Sequence, residues 1–162
     1  MVRFASIGLA TIAVACMLSA SDALAATQVA RTIPIAASAG ASGAVQQECQ
    51  LQTRLPEAIA QAASDVQLVD TPGKSGRWLE LEISEVHGPG GGPFSGPKWM
   101  AVTGQLHERG KVIGSFRAKR LSTGGFVKGT CATLGGCASA IGRDIAAWLQ
   151  APTMNAELGD AR

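Results

Sequence analysis

The chain has 162 residues, room for one ordinary domain behind a leader but not for a multidomain enzyme. Apolar residues at 46% and charged residues at 16% argue against intrinsic disorder, and a formal net charge of +2 is too small to imply a nucleic-acid partner.

Met1-Val2-Arg3-Phe4 places one positive charge ahead of an apolar run over residues 7–18, too short to span a bilayer. Ala23-Leu24-Ala25 has the small residues that a signal peptidase accepts, so 1–25 is expected to be a signal peptide and Ala26 the mature start. Cys16 carries the competing expectation of a lipoprotein anchored through an acylated cysteine, although Ala13-Val14-Ala15 lacks the leucine usual upstream. No later segment reaches the roughly 20 apolar residues of a membrane helix. Such a leader suits a bacterial periplasm, whose oxidising conditions permit disulfides. Cys49, Cys131 and Cys137 follow the leader, which predicts one bridge and one unpaired thiol.

Residues 26–44 are rich in Ala, Ser and Gly and are expected to be flexible, with Arg31-Thr32-Ile33-Pro34-Ile35 at most a short edge strand. A single domain is expected over 45–151. Val45, Cys49, Leu55 and Ile59 approximate a helical stripe interrupted by Pro56, so a helix either starts near Pro56 or bends there. Residues 66–69 form a short β-prone piece closed by the turn Asp70-Thr71-Pro72-Gly73. Over 78–86, Leu79, Leu81 and Ile83 alternate with Trp78, Glu80, Glu82 and Ser84, the pattern of a half-buried strand. Residues 87–97 hold too many glycines and prolines for regular structure and are predicted to be a long loop. Strands over 98–107 and 111–121 flank the tight connection Glu108-Arg109-Gly110 and complete a three-strand meander. Leu134, Ala138, Ile141, Ile145 and Trp148 then mark a helix capped by Thr130 and ended before Pro152, leaving 152–162 as a C-terminal tail.

Amphipathic helices and a meander with one apolar face must cover one another. The predicted fold is therefore α+β, a two-layer sandwich in which an antiparallel meander of three to five strands carries two helices on one face. That arrangement brings Cys49 and Cys131 to the starts of the two helical regions. Their bridge would close a loop of about 80 residues and contribute about 4 kcal/mol in the chain-entropy account. A Cys131–Cys137 bridge across a helix start has an awkward Cα separation.

Gly73-Lys74-Ser75 ends like a phosphate-binding loop, but Leu68 stands where its first glycine is required. The glycine-rich loop leads into a strand, so no helix N-terminus awaits a pyrophosphate. No cofactor is expected. His87, His107, Cys131 and Cys137 lack the paired spacing of structural zinc, and neither a metal site nor a catalytic residue is assigned. A cysteine- or metal-dependent hydrolase is the alternative, and it needs Cys137 to meet a histidine.

The helix-free face is expected to carry Glu80 and Glu82 on one strand, Lys111, Arg117 and Lys119 on another, and tryptophans among them. Its plain reading is a solvated face with weak ion pairs. Its sharper reading is a recognition surface of Trp78, His87, Phe94, Lys98, Trp99, Arg117 and Lys119 for an unknown envelope protein or ligand, because tryptophan and arginine are enriched where partners dock.

The succession of a helix over 49–63, a strand over 78–86, a hairpin over 100–118 and a helix from Gly129-Thr130-Cys131 to Trp148-Leu149, behind a secretory leader, resembles small Gram-negative envelope proteins. Their domain is similar to transport-auxiliary lipoproteins and the TolB N-terminal region. The resemblance implies a binding or assembly role at the envelope without catalysis.

Overall fold

A computed structural model describes residues 26–89, 96–122 and 129–161. The expected leader and Phe94 lie outside these residues.

The elements in chain order are β1 (Thr27–Ala30), α1 (Gly43–Cys49), α2 (Leu51–Ala62), β2 (Val66–Val69), β3 (Arg77–His87), β4 (Lys98–Glu108), β5 (Lys111–Ser122), α3 (Thr130–Leu149) and β6 (Ala156–Gly159). The class is α+β, as expected, but the sheet is larger and less uniform than predicted. It has six strands in the order β2-β1-β3-β4-β5-β6. The antiparallel β3-β4-β5 meander is its centre, while β1 runs parallel to both β2 and β3, and β6 runs parallel to β5. Among the described residues the helices number three rather than two.

The largest correction concerns residues 26–44. Instead of a flexible start, they supply β1 and then follow β3. Thr27 N donates to Asp65 O at 2.8 Å and Arg31 N to Val69 O at 2.9 Å. Further on, Ile83 N donates to Pro34 O, Ala36 N to Ile83 O and Val86 N to Ala39 O, at 3.0, 2.9 and 2.7 Å. The expected edge strand over 31–35 is reduced to one bridge, Ile35 to Ile83. Backbone pairing decides here, and a four-residue strand is too short to advertise itself by alternation. The C-terminal tail is likewise docked through β6, with Ser115 N donating to Thr153 O at 3.1 Å.

The first helical region breaks at Gln50, six residues before Pro56. Ser42 Oγ accepts from Val45 N at 3.3 Å to start α1, and Gln50 turns left-handed at φ 51° before α2 begins. Pro56 is a buried interior residue of α2. For α3 the N-cap is Gly129, not Thr130, whose hydroxyl donates to Pro89 O at 3.3 Å.

The helices cover one face of the sheet. Leu79, Leu81, Ile83, Met100, Val102, Leu106, Phe116 and Ala118 meet Leu51, Leu55, Ile59, Leu134, Ile141, Ile145 and Trp148 in one buried cluster. Close approach is built in at glycines. A Cβ on Gly142 would lie 2.8 Å from Ala58 Cβ between α2 and α3, and one on Gly104 would overlap the Phe116 ring. Phe116 in turn meets Trp148 edge to face at 4.8 Å. The predicted Cys49–Cys131 disulfide, with a Cα separation of 4.7 Å, ties the end of α1 to the start of α3.

Candidate functional site

Two β-bulges decide which side chains share the helix-free face. In β3 the pairing passes from Ile83 opposite Val102 to Glu85 opposite Ala101, so Ser84 is the extra residue. The buried series therefore runs Leu79, Leu81, Ile83, Val86, and Glu85 and His87 join Trp78, Glu80 and Glu82 on the outer side. In β5 the pairing passes from Val112 opposite His107 to Gly114 opposite Leu106. Arg117, Lys119 and Leu121 then face outward with Val112. The same bulge removes Lys111 from this group, contrary to expectation, since it lies opposite Glu108 in the other phase of the strand.

The outer face consequently has an apolar row at each end. At one end Trp78, His107 and Val112 are cross-strand neighbours, and the first two rings stack with centroids 3.9 Å apart at 6°. At the other end His87, Trp99 and Leu121 are neighbours, and His87 stacks on Trp99 at 3.7 Å and 12°. Lys119 Nζ lies 5.4 Å from the Trp99 ring centroid, within reach of a cation–π attraction. Both tryptophans are half-buried.

Polar rows lie between: Glu80, Gln105, Ser115; then Glu82, Thr103, Arg117, Glu157; then Glu85, Ala101, Lys119. Acids stand on β3 and bases on β5. A groove of about 600 Å³ crosses the middle rows, bounded by Pro34 on one side and by Asn155 and Glu157 on the other.

Glu85 holds the bases in place, with Arg117 Nη2 donating at 2.7 Å and Lys119 Nζ at 3.3 Å. Partial burial works to raise its carboxyl, but the hydrogen bond and charge of Lys119, followed by those of Arg117, outweigh it and hold Glu85 below its ordinary value. Glu80 Oε2 lies 3.2 Å from His107 Nε2. Glu82 and Glu157 are exposed and form no ion pair among the described residues.

Of the surface predicted from sequence, Trp78, His87, Trp99, Arg117 and Lys119 are gathered on this face. Lys98 is not. It shares the strand phase of Met100, is only 6% exposed, and its Nζ donates to Gly96 O at 3.4 Å. Sequence reasoning missed Glu85, the ladder partners Val112 and Leu121, Glu157 on β6 and Asn155 just before that strand, and it did not foresee the stack of Trp78 on His107. The three-residue step from Ile83 to Val86, where two was the rule, was the available signal for Glu85.

Cys137 is free and 4% exposed on α3. Burial, then the charge of Asp160, push its thiol up against the opposing pull of Arg120. A second cleft of about 380 Å³ lies beside it, but Arg120 there is engaged by Asp144 at 2.7 and 2.8 Å and by Asp160 at 3.5 Å. The sheet stands between Cys137 and the outer-face rings of His87 and His107, so the pairing that cysteine hydrolysis needs is not formed. Among the described residues, no three of the His, Cys, Asp and Glu side chains cluster as metal ligands would.

No protein-family model and no curated protein matches the chain. Among solved structures, an uncharacterized protein superposes with a TM-score of 0.56 at 14% identity, covering 78% of this chain and 94% of its own, a likeness of fold. Two PelC dodecamers from Paraburkholderia phytofirmans, one a point variant, give TM-scores of 0.48 and 0.47 at 13% identity. They cover 75% and 74% of this chain and 89% and 84% of their own.

Proposed function

We propose that the chain is an exported, non-enzymatic binding module of the bacterial periplasm or envelope, and that it docks its partner on the helix-free face of the sheet. The observation that carries this reading is the pair of tryptophan–histidine stacks bracketing a polar groove, on a sheet whose opposite face is fully used by the helices. Aromatic rings already held by stacking present contact area at little further entropic cost. The groove volume lies within the roughly 300–1,000 Å³ of small-molecule sites.

Export is supported by the disulfide. Among the described residues no helix is long and apolar enough to cross a membrane. The resemblance to transport-auxiliary lipoproteins and the TolB N-terminal region belongs to the same reading. The separation of Cys137 from both histidines favours binding over hydrolysis.

The test is a photo-crosslinking residue at Thr103, on the groove floor, compared in cells with one at Ala147, exposed on α3. A discrete adduct from Thr103 and none from Ala147 is expected. No adduct from Thr103, or the same pattern from both, overturns the docking face. Intact mass of the chain recovered from the native envelope tests export. A start at Ala26 is expected, a diacylglyceryl mass on Cys16 makes it an anchored lipoprotein, and a chain retaining residues 1–25 without that mass overturns cleavage.

A further inference from the structure

We infer that a second copy of this chain seats on the outer face, related by a two-fold axis running parallel to the strands. This rests on the reading of that face as the docking surface and names what covers it.

An isologous contact must be complementary to itself, and symmetry restricts how that is possible. With the axis parallel to the strands, β4 lies over β4 of the second copy and each β3 lies over a β5, while every row stays level with its own counterpart. The acids of β3, Glu82 and Glu85, then face the bases of β5, Arg117 and Lys119. Each apolar row meets itself, with Trp99 beside its own symmetry mate. An axis across the strands would instead put β3 on β3 and set glutamates against glutamates, which is unfavourable. Parallel stacking also suits twisted sheets, which pack aligned to within about 30°.

The nine residues from Trp99 to His107 span about 27 Å, and with β4 over β4 five strands overlap, about 19 Å across, which gives at most roughly 500 Å² of projected face per copy. A standard interface takes more, about 800 Å² per partner. The middle rows are low where Thr103 and Ser115 are short, so the apolar rows meet directly and only the long Glu82 and Arg117 side chains reach across between them. The two grooves face each other as one polar, hydrated chamber, an ordinary condition for an interface. Glu82, exposed and without an ion-pair partner in its own chain among the described residues, finds Arg117 of the second copy.

Sedimentation of the purified chain over a dilution series tests this. The native chain is expected to dimerise, whereas Glu82→Lys alone and Arg117→Glu alone each weaken dimerisation by about tenfold or more, since each sets two like charges together twice. Mixing the two variants restores the dimer: the new lysine meets the new glutamate, and the untouched Arg117 and Glu82 meet at the other end of the dyad. Both positions are exposed, and far-UV circular dichroism confirms that each variant is folded. Trp99→Ala, which acts without altering charge, is expected to weaken the dimer as well. A native chain that stays monomeric, reversals that leave the dimer intact, or a mixture that fails to restore it overturns the inference. A monomer that still yields a foreign adduct at Thr103 overturns self-pairing and leaves the docking face standing.

Discussion

Thr103 and Gly104 are neighbours in β4, yet they belong to different physical regimes. Gly104 faces the helices, where the Phe116 ring occupies the space a side chain would need and the Trp148 ring packs beyond it. Thr103 faces outward, half-buried in a groove, between Glu82 and Arg117 on the flanking strands. On the inner face, volume is the constraint, and each residue is fixed by what its neighbours have already filled. On the outer face, charge and ring orientation are the constraint, and the side chains hold one another through stacking and ion pairs that water can replace. One face is thereby committed to stability while the other is free to be specified by a partner.

The contrast is sharpest where a change reaches under the helices. Removing the bridge with Cys49→Ser and Cys131→Ser is expected to lower unfolding free energy by about 4 kcal/mol. Denaturant titration measures it, and a loss under about 1 kcal/mol would mean that helix packing alone fixes α1 against α3. Next comes the adjacent pair in β4. Gly104→Val is expected to cost about 1–3 kcal/mol by overpacking against Phe116, while Thr103→Ala stays within about 0.5 kcal/mol. Equal costs at the two positions would break the distinction between the faces. Trp99→Ala should cost about 1 kcal/mol for the lost ring pair, beyond its buried area. The smallest effect belongs to Glu85→Gln and is visible in its pH dependence. Because the folded carboxyl titrates below its ordinary 4.5, its stabilisation is complete above that value and is lost as pH falls through the folded one. The melting temperatures of Glu85→Gln and the native chain should therefore differ at neutral pH and converge in acid. A gap that persists in acid would assign the role of Glu85 to packing.

The parts of the fold that could be read from sequence are those with a long period. The eleven- and twelve-residue strands β3, β4 and β5 show their alternation, α3 shows its stripe, and the pairing of Cys49 with Cys131 follows once both helical regions share a face. Four-residue strands show no alternation: β2 was legible only from its β-prone composition and the turn that closes it, while β1 and β6 and their parallel pairing stayed hidden. The break at Gln50 was hidden for another reason, since a left-handed glutamine is a tertiary outcome that no local preference announces. The candidate site was legible up to its bulges. One extra residue reverses the phase of everything beyond it, which gained Glu85 for the face and cost it Lys111.

The placement of β1 bears on the order in which the chain assembles. The strand nearest the N-terminus lies between two strands made after it, and its second neighbour begins about fifty residues later, a separation that slows closure. A chain emerging N-terminus first cannot complete this half of the sheet until β3 has appeared, and the α1–α3 bridge must wait for Cys131. Val29, fully enclosed in the finished structure, is thus an early residue in synthesis and a late one in assembly. Until then its backbone donors and acceptors remain open to other strands, so the interval before β3 arrives is when this chain most needs shielding from its neighbours.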